Sequence, residues 1–360
     1  MSWPDATDES LLALTRELAA RAGLGEPRAL LRLAGGKNNQ VYRVDTEAGR
    51  PLVLKRYFTD PRDKRDRLAA EWNFLKAAWS RGIRCVPEPL TCDTTTHAAL
   101  YGLVAGRKLL ATELKPAHID AAIDFVLAVN ARPRAELATA SEACFSLSEH
   151  VATVERRLAR LASLDPDAPL VSEAQSFISS RLLPAWETVK SRLATDAREA
   201  RLAMDDELSQ ADGCLSPSDF GFHNALVDEA GRLTFLDFEY AGRDDPAKLV
   251  SDFFCQPEIP PPIDCHATFI ARLADGLMLD EKSRARCRML LDAYRIKWAC
   301  IILNDFLPLG DARRAFADKS DRAARCAAQL AKAEAKLFGL QREPQTTKTI
   351  PVRSDFDGLS

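Results

Sequence analysis

The sequence predicts an α+β fold in two lobes, a small antiparallel sheet followed by a larger, mainly helical part. Two patterns lead to that reading. From Leu30 the runs LLRLAGG, QVYRV and PLVLKRY alternate apolar and polar residues over short stretches broken by glycine-containing turns, as half-buried strands do. After Gly106 the period lengthens to 3.6 residues through DAAIDFVLAVNA, HVATVERRLARLASL and AQSFISSRLLPAWETVKSRLA, the spacing of amphipathic helices.

Taken in order, residues 1–25 hold an opening helix. Leu11, Leu12, Leu14, Leu18 and Ala22 fall at helical spacing, and GLGEP supplies a stop. Residues 26–106 form the sheet lobe, interrupted by one helix in which Leu68, Trp72, Leu75 and Trp79 make a stripe that Gly82 ends. VPEPLTC and HAALYGLVAG continue the strands. The junction at Leu103–Arg107 lies between two compositions and contains Gly106, which makes it the expected hinge. Residues 107–340 form the helical lobe, within which 224–240 reads as strand, turn, strand. Residues 341–360 are polar and proline-containing, the composition of a disordered tail.

Composition excludes several classes. The chain has 360 residues, 46% of them hydrophobic, enough for a full core. Lys+Arg 49 nearly balances Asp+Glu 52, so no basic excess points to nucleic acid or an anionic membrane. No stretch approaches the ~20 apolar residues of a membrane span, and the polar first residues lack a secretory signal's apolar core; a cytoplasmic location is expected. Nine scattered cysteines without a C-x-x-C pair read as thiols, and they show no zinc-ligand spacing.

The chemistry concentrates in SPSDFGFHNALVDEAGRLTFLDFEYAGRDDPA, residues 216–247. Ala225–Val227 and Leu233–Leu236 are apolar strand runs joined by a turn with Gly231. Folding about that turn brings Asn224 to the same end as Asp237, although thirteen positions separate them. An amide oxygen beside a carboxylate suits a hard cation that also takes phosphate oxygens and water, such as nucleotide-bound Mg²⁺. Asp219, in the loop leading in, can orient an attacking hydroxyl and accept its proton.

Asp219, four intervening residues, Asn224, then Leu-Asp237-Phe-Glu-Tyr and Asp245-Pro246-Ala247 resemble the catalytic stretch of the aminoglycoside phosphotransferases and choline kinases. The resemblance covers roughly residues 26–340. It implies a two-lobed protein-kinase-like fold and ATP- and Mg²⁺-dependent phosphorylation of a small hydroxylated molecule. Asp219 would be the catalytic aspartate, Asn224 and Asp237 would bind Mg²⁺, and Glu239 would lie close to the metal.

The sheet lobe holds the other parts such a kinase needs. Gly35, Gly36, Lys37, Asn38 and Asn39 precede a strand and let backbone N–H groups approach phosphate oxygens. Lys55 shares a strand face with Val53, and Glu71 borders the inward stripe of the next helix, so the two are expected to pair. This resembles the lysine and helix glutamate that hold a nucleotide's phosphates in kinases. ALYGLVAGRKL resembles the hinge, where the backbone from Gly102 to Val104 would meet the adenine.

The chain departs from the family at marked places. Pro217-Ser218-Asp219 stands where His-Gly-Asp is usual, and that histidine supports the loop. Gly221 stands where histidine is frequent, which would cost an auxiliary phosphate contact; the nearby His223 could compensate, although a packed histidine is the preferred reading. Leu249 stands where a further acid is frequent, with Asp252 as a candidate replacement. A catalytically silent ATP-binding pseudokinase is the alternative that Pro217 favours, whereas the complete set Lys55, Glu71, Asp219, Asn224 and Asp237 favours an enzyme. A protein kinase is disfavoured, because only seven residues separate Asp237 from Asp245, too few for an activation segment. For the acceptor, LLDAYRIKWACIILNDFL puts Tyr294, Trp298, Ile301 and Asp305 on one helical stripe, an acid and aromatics suited to a cationic or sugar molecule. A core helix with a solvated terminal aspartate explains that stripe equally well.

Overall fold

Alternation along QVYRVDT buries Tyr42, Val44 and Thr46 on one side of a strand, and this strand lies within the first sheet of the molecule. The structure is a computed structural model that describes residues 8–33, 39–59, 63, 65–132, 136–209, 211–308, 322–338 and 340. Strands β1 (Pro27–Arg32), β2 (Gln40–Thr46), β3 (Leu52–Arg56), β4 (Pro89–Asp93) and β5 (Ala98–Gly102) make an antiparallel sheet in the order β1-β2-β3-β5-β4. It begins at Pro27, three residues before the expected Leu30, since a proline is tolerated at the first position of an edge strand.

The two faces of this sheet serve different cores. Helix α1 (Asp8–Arg21) packs Leu11 and Leu18 on Tyr42, Val44, Leu52, Leu54 and Leu100. The opposite face, carrying Val53, Ala99 and Tyr101, joins the main core with helix α2 (Arg67–Ser80). Register places Lys55 opposite Ala99, so strand periodicity sends its side chain to the α2 face. Asp66 caps α2, its carboxylate accepting from the Ala69 N–H at 2.9 Å.

Gly106 is where the chain leaves the sheet. Its φ of 139° and the 2.8 Å that would separate a Cβ from the Val227 carbonyl oxygen both require glycine. Immediately afterwards β6 (Arg107–Lys108) pairs with β8 (Ala225–Val227), which pairs with β9 (Leu233–Phe235). The 224–240 hairpin is thus present, turning at Gly231 with φ 79°. A second short pair, β7 (Cys214–Ser216) with β10 (Gly242–Asp244), was not foreseen. Helices α3 (Pro116–Val129), α4 (Leu147–Arg160), α5 (Val171–Phe177), α6 (Leu183–Glu199), α7 (Pro246–Cys255), α8 (His266–Leu277), α9 (Glu281–Met289), α10 (Leu291–Ile302) and α11 (Arg322–Phe338) build the rest.

Two helical expectations are corrected. The periodic run 174–194 is broken by one π turn, Ile178–Leu182, just before Pro184, whose missing N–H disturbs the ladder there. Helix α10 stops at Ile302 and continues as a 3₁₀ turn, Leu303–Phe306, so Asp305 leaves the stripe of Tyr294 and Trp298. No helix among the described residues is long and apolar enough to cross a membrane. All nine cysteines are free, as expected.

Six phenylalanines tie the hairpin and the loop that precedes it to the helices. Phe74 of α2 stacks on Phe238 at 4.7 Å, Phe125 of α3 on Phe235 at 4.9 Å, and Phe220 on Phe253 of α7 at 5.1 Å between ring centroids. Behind them lies a buried ionic cluster. Asp245 caps α7 through the Ala247 N–H at 2.7 Å, accepts from Arg286, and meets His150 Nε2 at 3.2 Å; the other His150 nitrogen bonds the Tyr294 hydroxyl at 2.7 Å.

Burial works against a charge on His150, but Asp245 and Cys144 outweigh it and push the imidazole up to about 9. In the unfolded chain a histidine titrates near ~6.5. The raised value therefore adds stability that is fully present below pH ~6.5 and lost as pH rises through about 9. The unfolding free energy from urea titrations is expected to fall across that window, and more shallowly in His150→Gln. An unchanged slope in the variant would remove His150 as its source.

Candidate active site

Lys55 is the centre of the site. Its Nζ lies 2.6 Å from Glu71 Oε2 on α2 and 2.7 Å from Asp237 Oδ1, two residues beyond β9. Burial opposes its charge, but the carboxylates of Asp237, Glu71 and Glu239 overcome that and hold the ammonium well above its ordinary value. Glu71 is raised too, by burial first, with Lys55 pulling the other way. The geometry speaks for an ionised pair, because Tyr57 also donates its hydroxyl to Glu71 Oε2 at 2.8 Å. Tyr57 and Tyr101 share a further bond of 2.7 Å, so the hydroxyl that serves this buried carboxylate is itself held in place.

Asp237 keeps 41% of its side chain exposed and sits at φ 66°, a conformation rare for a residue with a side chain. Its buried neighbour Phe238 anchors it. Glu239 is buried, accepts from the Asn39 amide, and stands 3.9 Å from the Arg67 guanidinium. Asn39 in turn accepts from the Phe58 N–H at 3.1 Å.

Asp219 occupies a loop in which Ser218 and Asp219 both have positive φ, 46° and 39°. Two such residues in sequence cost roughly 1–3 kcal/mol each. The buried rings of Phe220 and Phe222 clamp the chain just after them. Asn224 Nδ2 donates to the Asp219 carbonyl at 3.0 Å and approaches its Oδ2 at 3.5 Å, which leaves the Asn224 amide oxygen for another partner. The Asn224 carbonyl accepts from Leu236 N–H at 2.8 Å, so the hairpin does place Asn224 beside the segment that carries Asp237.

These oxygens suit Mg²⁺. Among the described residues no group of three or more His, Cys, Asp or Glu side chains could hold a metal alone. An ion on the Asp237 carboxylate and the Asn224 amide oxygen would therefore take further oxygens from elsewhere, as Mg²⁺ does from phosphates and water.

The sequence profile of the phosphotransferase enzyme family (APH) matches residues 29–254, well over half of the chain. The chain belongs to this family. Membership assigns the class of enzyme, a phosphotransferase acting on a small molecule. Solved structures with a similar fold include the spectinomycin phosphotransferase APH(9)-Ia in complex with ADP and spectinomycin, at 12% identity and TM-score 0.58, over 92% of this chain and 99% of that one. Choline kinase LicA from Streptococcus pneumoniae is similar at 14% identity and TM-score 0.55, over 91% of this chain and 99% of that one. A choline kinase from Cryptosporidium parvum Iowa II is similar at 12% identity and TM-score 0.56, over 93% and 96%. No curated protein sequence matches the chain.

Within this phosphotransferase, the structure brings together Lys55, Glu71 and Asp237, and separately Asp219 and Asn224. Gly35, Gly36, Lys37 and Asn38 lie outside the described residues. At the hinge, the Gly102 N–H donates to the Glu88 carbonyl at 2.9 Å and Leu103 N–H to Pro51 at 3.3 Å. The sheet thus consumes the Gly102 donor, and Val104 offers the first backbone N–H beyond it. Trp298 donates its Nε1 to Asp252 at 2.8 Å, and Lys297 also reaches Asp252, so the acid beside Trp298 is already neutralised. Tyr294 faces His150 in the core, while Asp305 is buried on its 3₁₀ turn rather than solvated.

Four participants were missed from sequence: the Lys55–Asp237 contact, Tyr57, Tyr101 and Arg67. Of the two roles open to His223, packing and a part in the site, the structure supports a contact with the site: its Nε2 stands 3.4 Å from Asp219 Oδ1. Only the tyrosines left a signal, since strand periodicity puts Tyr57 and Tyr101 on the Lys55 face.

Removing either member of the buried Lys55–Glu71 pair strands the other charge, a loss of about 3–5 kcal/mol. Lys55→Ala and Glu71→Ala should each lower the unfolding free energy by about that much, and the double variant by about 0.5–3 kcal/mol less than their sum. Strict additivity in urea titrations would show that the two are not coupled.

Proposed function

We propose that this phosphotransferase moves the terminal phosphoryl group of ATP to a hydroxyl of a small molecule, a sugar, amino-sugar or amino-alcohol, with Mg²⁺ as cofactor. One observation carries the reading: Lys55, Glu71 and Asp237, from a strand, a helix and a hairpin end, converge within 2.6–2.7 Å of one ammonium, with the Asp219–Asn224 loop hydrogen-bonded to the same hairpin. The ADP complex of the spectinomycin enzyme supports a nucleotide, and the choline kinases support a small alcohol as acceptor.

On this reading residues 26–106 hold the nucleotide and residues 107–340 the acceptor. Lys55, kept charged by its carboxylates, binds phosphate oxygens, and Glu71 fixes the direction of its ammonium. Mg²⁺, when bound, neutralises charge on the transferring group. Asp237 and Asn224 hold it. Asp219, in its strained loop, orients the acceptor hydroxyl and takes its proton. Val104 N–H and the Gly102 carbonyl face the base, and Glu239 holds Asn39, which leads into β2.

Asp219→Asn keeps the shape and removes the charge. MgATP binding by calorimetry should survive, while acceptor-dependent ATP consumption falls by roughly 10²–10⁴-fold. Asp237→Asn should instead weaken both turnover and the Mg²⁺ dependence of ATP binding. Near-full turnover in Asp219→Asn would remove the catalytic assignment. MgATP binding without phosphorylation across a broad panel of sugars, aminoglycosides and amino-alcohols would favour a pseudokinase, the outcome Pro217 allows.

A further inference from the structure

We propose that His223 positions the Asp219 carboxylate for the reaction, and that residue 221 is glycine so that the imidazole can reach it. The inference rests on the kinase reading above. Pro217 carries no side-chain donor, and the buried Ser218 hydroxyl has no partner among the described residues, so neither residue before Asp219 restrains its carboxylate. Among the described residues two side chains reach that carboxylate, Asn224 through Nδ2 at 3.5 Å and His223 through Nε2 at 3.4 Å. Asn224 Nδ2 makes its shorter bond, 3.0 Å, to the Asp219 backbone. His223 is therefore the side chain whose contact is with the carboxylate itself, and an ionised carboxylate only accepts, so Nε2 donates.

The surroundings of the ring point the same way. A Cβ on Gly221 would lie 2.7 Å from His223 Nδ1 and 2.9 Å from its Cε1, closer than such atoms approach. The imidazole thus fills the space a side chain at 221 would claim. On its far side nothing competes for it: Nδ1 is buried and has no hydrogen-bond partner among the described residues. Leaving a buried ring nitrogen unmatched costs free energy. The arrangement is understandable when the ring's one polar contact among the described residues, with Asp219, is what the site requires. Gly221 itself is extended, at φ 169°, so its backbone would accept any residue and the need for glycine is spatial.

The two positions make a matched pair, which gives the test. Gly221→Ala should push the ring from Asp219 and have the same effect as His223→Ala. Each is expected to lower kcat for MgATP consumption, with water or a panel hydroxyl as acceptor, by about 10-fold to 100-fold, the loss that follows from a misplaced reacting group. The KM for ATP and the thermal midpoint should hold. His223→Gln, whose amide can donate from a similar place, should recover part of the rate. The double variant should be no worse than His223→Ala, because with the ring gone the added methyl meets nothing of it.

Multiplying losses, or a loss confined to the KM for ATP or to the thermal midpoint, would overturn the proposal. A second readout needs no turnover: the His223 ring-nitrogen NMR resonances at one fixed pH should shift in Asp219→Asn. Unshifted resonances overturn the role of His223 and leave the kinase reading standing. Shifted resonances in a protein that neither binds MgADP nor consumes MgATP overturn the kinase reading, and the role of His223 with it.

Discussion

The arrangement of this molecule depends on a buried ammonium. Lys55 lies in a strand that faces the main core, where an unmatched positive charge would be expensive. Its match comes from Glu71 on α2 and Asp237 beyond β9. Sheet, helix and hairpin can therefore close on the core only in the relative positions that bring both carboxylates to Nζ. Tyr57 and Tyr101 extend the constraint, since the Tyr57 hydroxyl donates to Glu71 and is itself held by the Tyr101 hydroxyl. A charge that the hydrophobic core alone would reject becomes the reference point from which the site is built.

The acids of the site are held in backbone conformations they would not adopt alone. Ser218, Asp219 and Asp237 all have positive φ. Each of the two aspartates is followed by a buried phenylalanine, Phe220 and Phe238, and the rings stack on Phe253 and Phe74. Burying such a ring stabilises by about 1.5–3 kcal/mol, comparable to the strain of one left-handed residue. The phenylalanines thus offset the strain and aim the carboxylates at once, because a ring fixed in the core leaves the preceding side chain one direction in which to point.

The sequence disclosed what is periodic or contiguous. Lys55 and Glu71 were legible because one alternates on a strand and the other borders a helical stripe; Asp219, Asn224 and Asp237 were legible because they stand in order around one hairpin. Contacts across long separations were not. Lys55 meets Asp237 across 182 positions, and Arg67 and Asn39 reach Glu239 from the other lobe, with nothing in local pattern to announce it. Strands β6, β7 and β10 have two or three residues, too few for alternation to show. The stripe from Tyr294 to Asp305 failed for a related reason: helical spacing holds only while the helix lasts, and α10 stops at Ile302.

The size of the acceptor follows from how the chain runs from Asp237 to Asp245. A kinase that docks a polypeptide needs a long, rearrangeable segment after its metal-binding aspartate. Here the seven intervening residues are all committed. Phe238 is stacked in the core, the Tyr240 carbonyl accepts from Ser141 N–H at 3.1 Å, and Gly242–Asp244 pair with Cys214–Ser216. On its other side Arg243 exchanges backbone hydrogen bonds with Ala138 and Ala140, so close that a Cβ on Gly242 would lie 2.4 Å from the Ala138 carbonyl oxygen. A segment fixed on both sides cannot open to receive a protein chain or swing on phosphorylation. On the proposed assignment of Asp219, what reaches it must fit the space the folded loop leaves, and that requirement suits a small molecule.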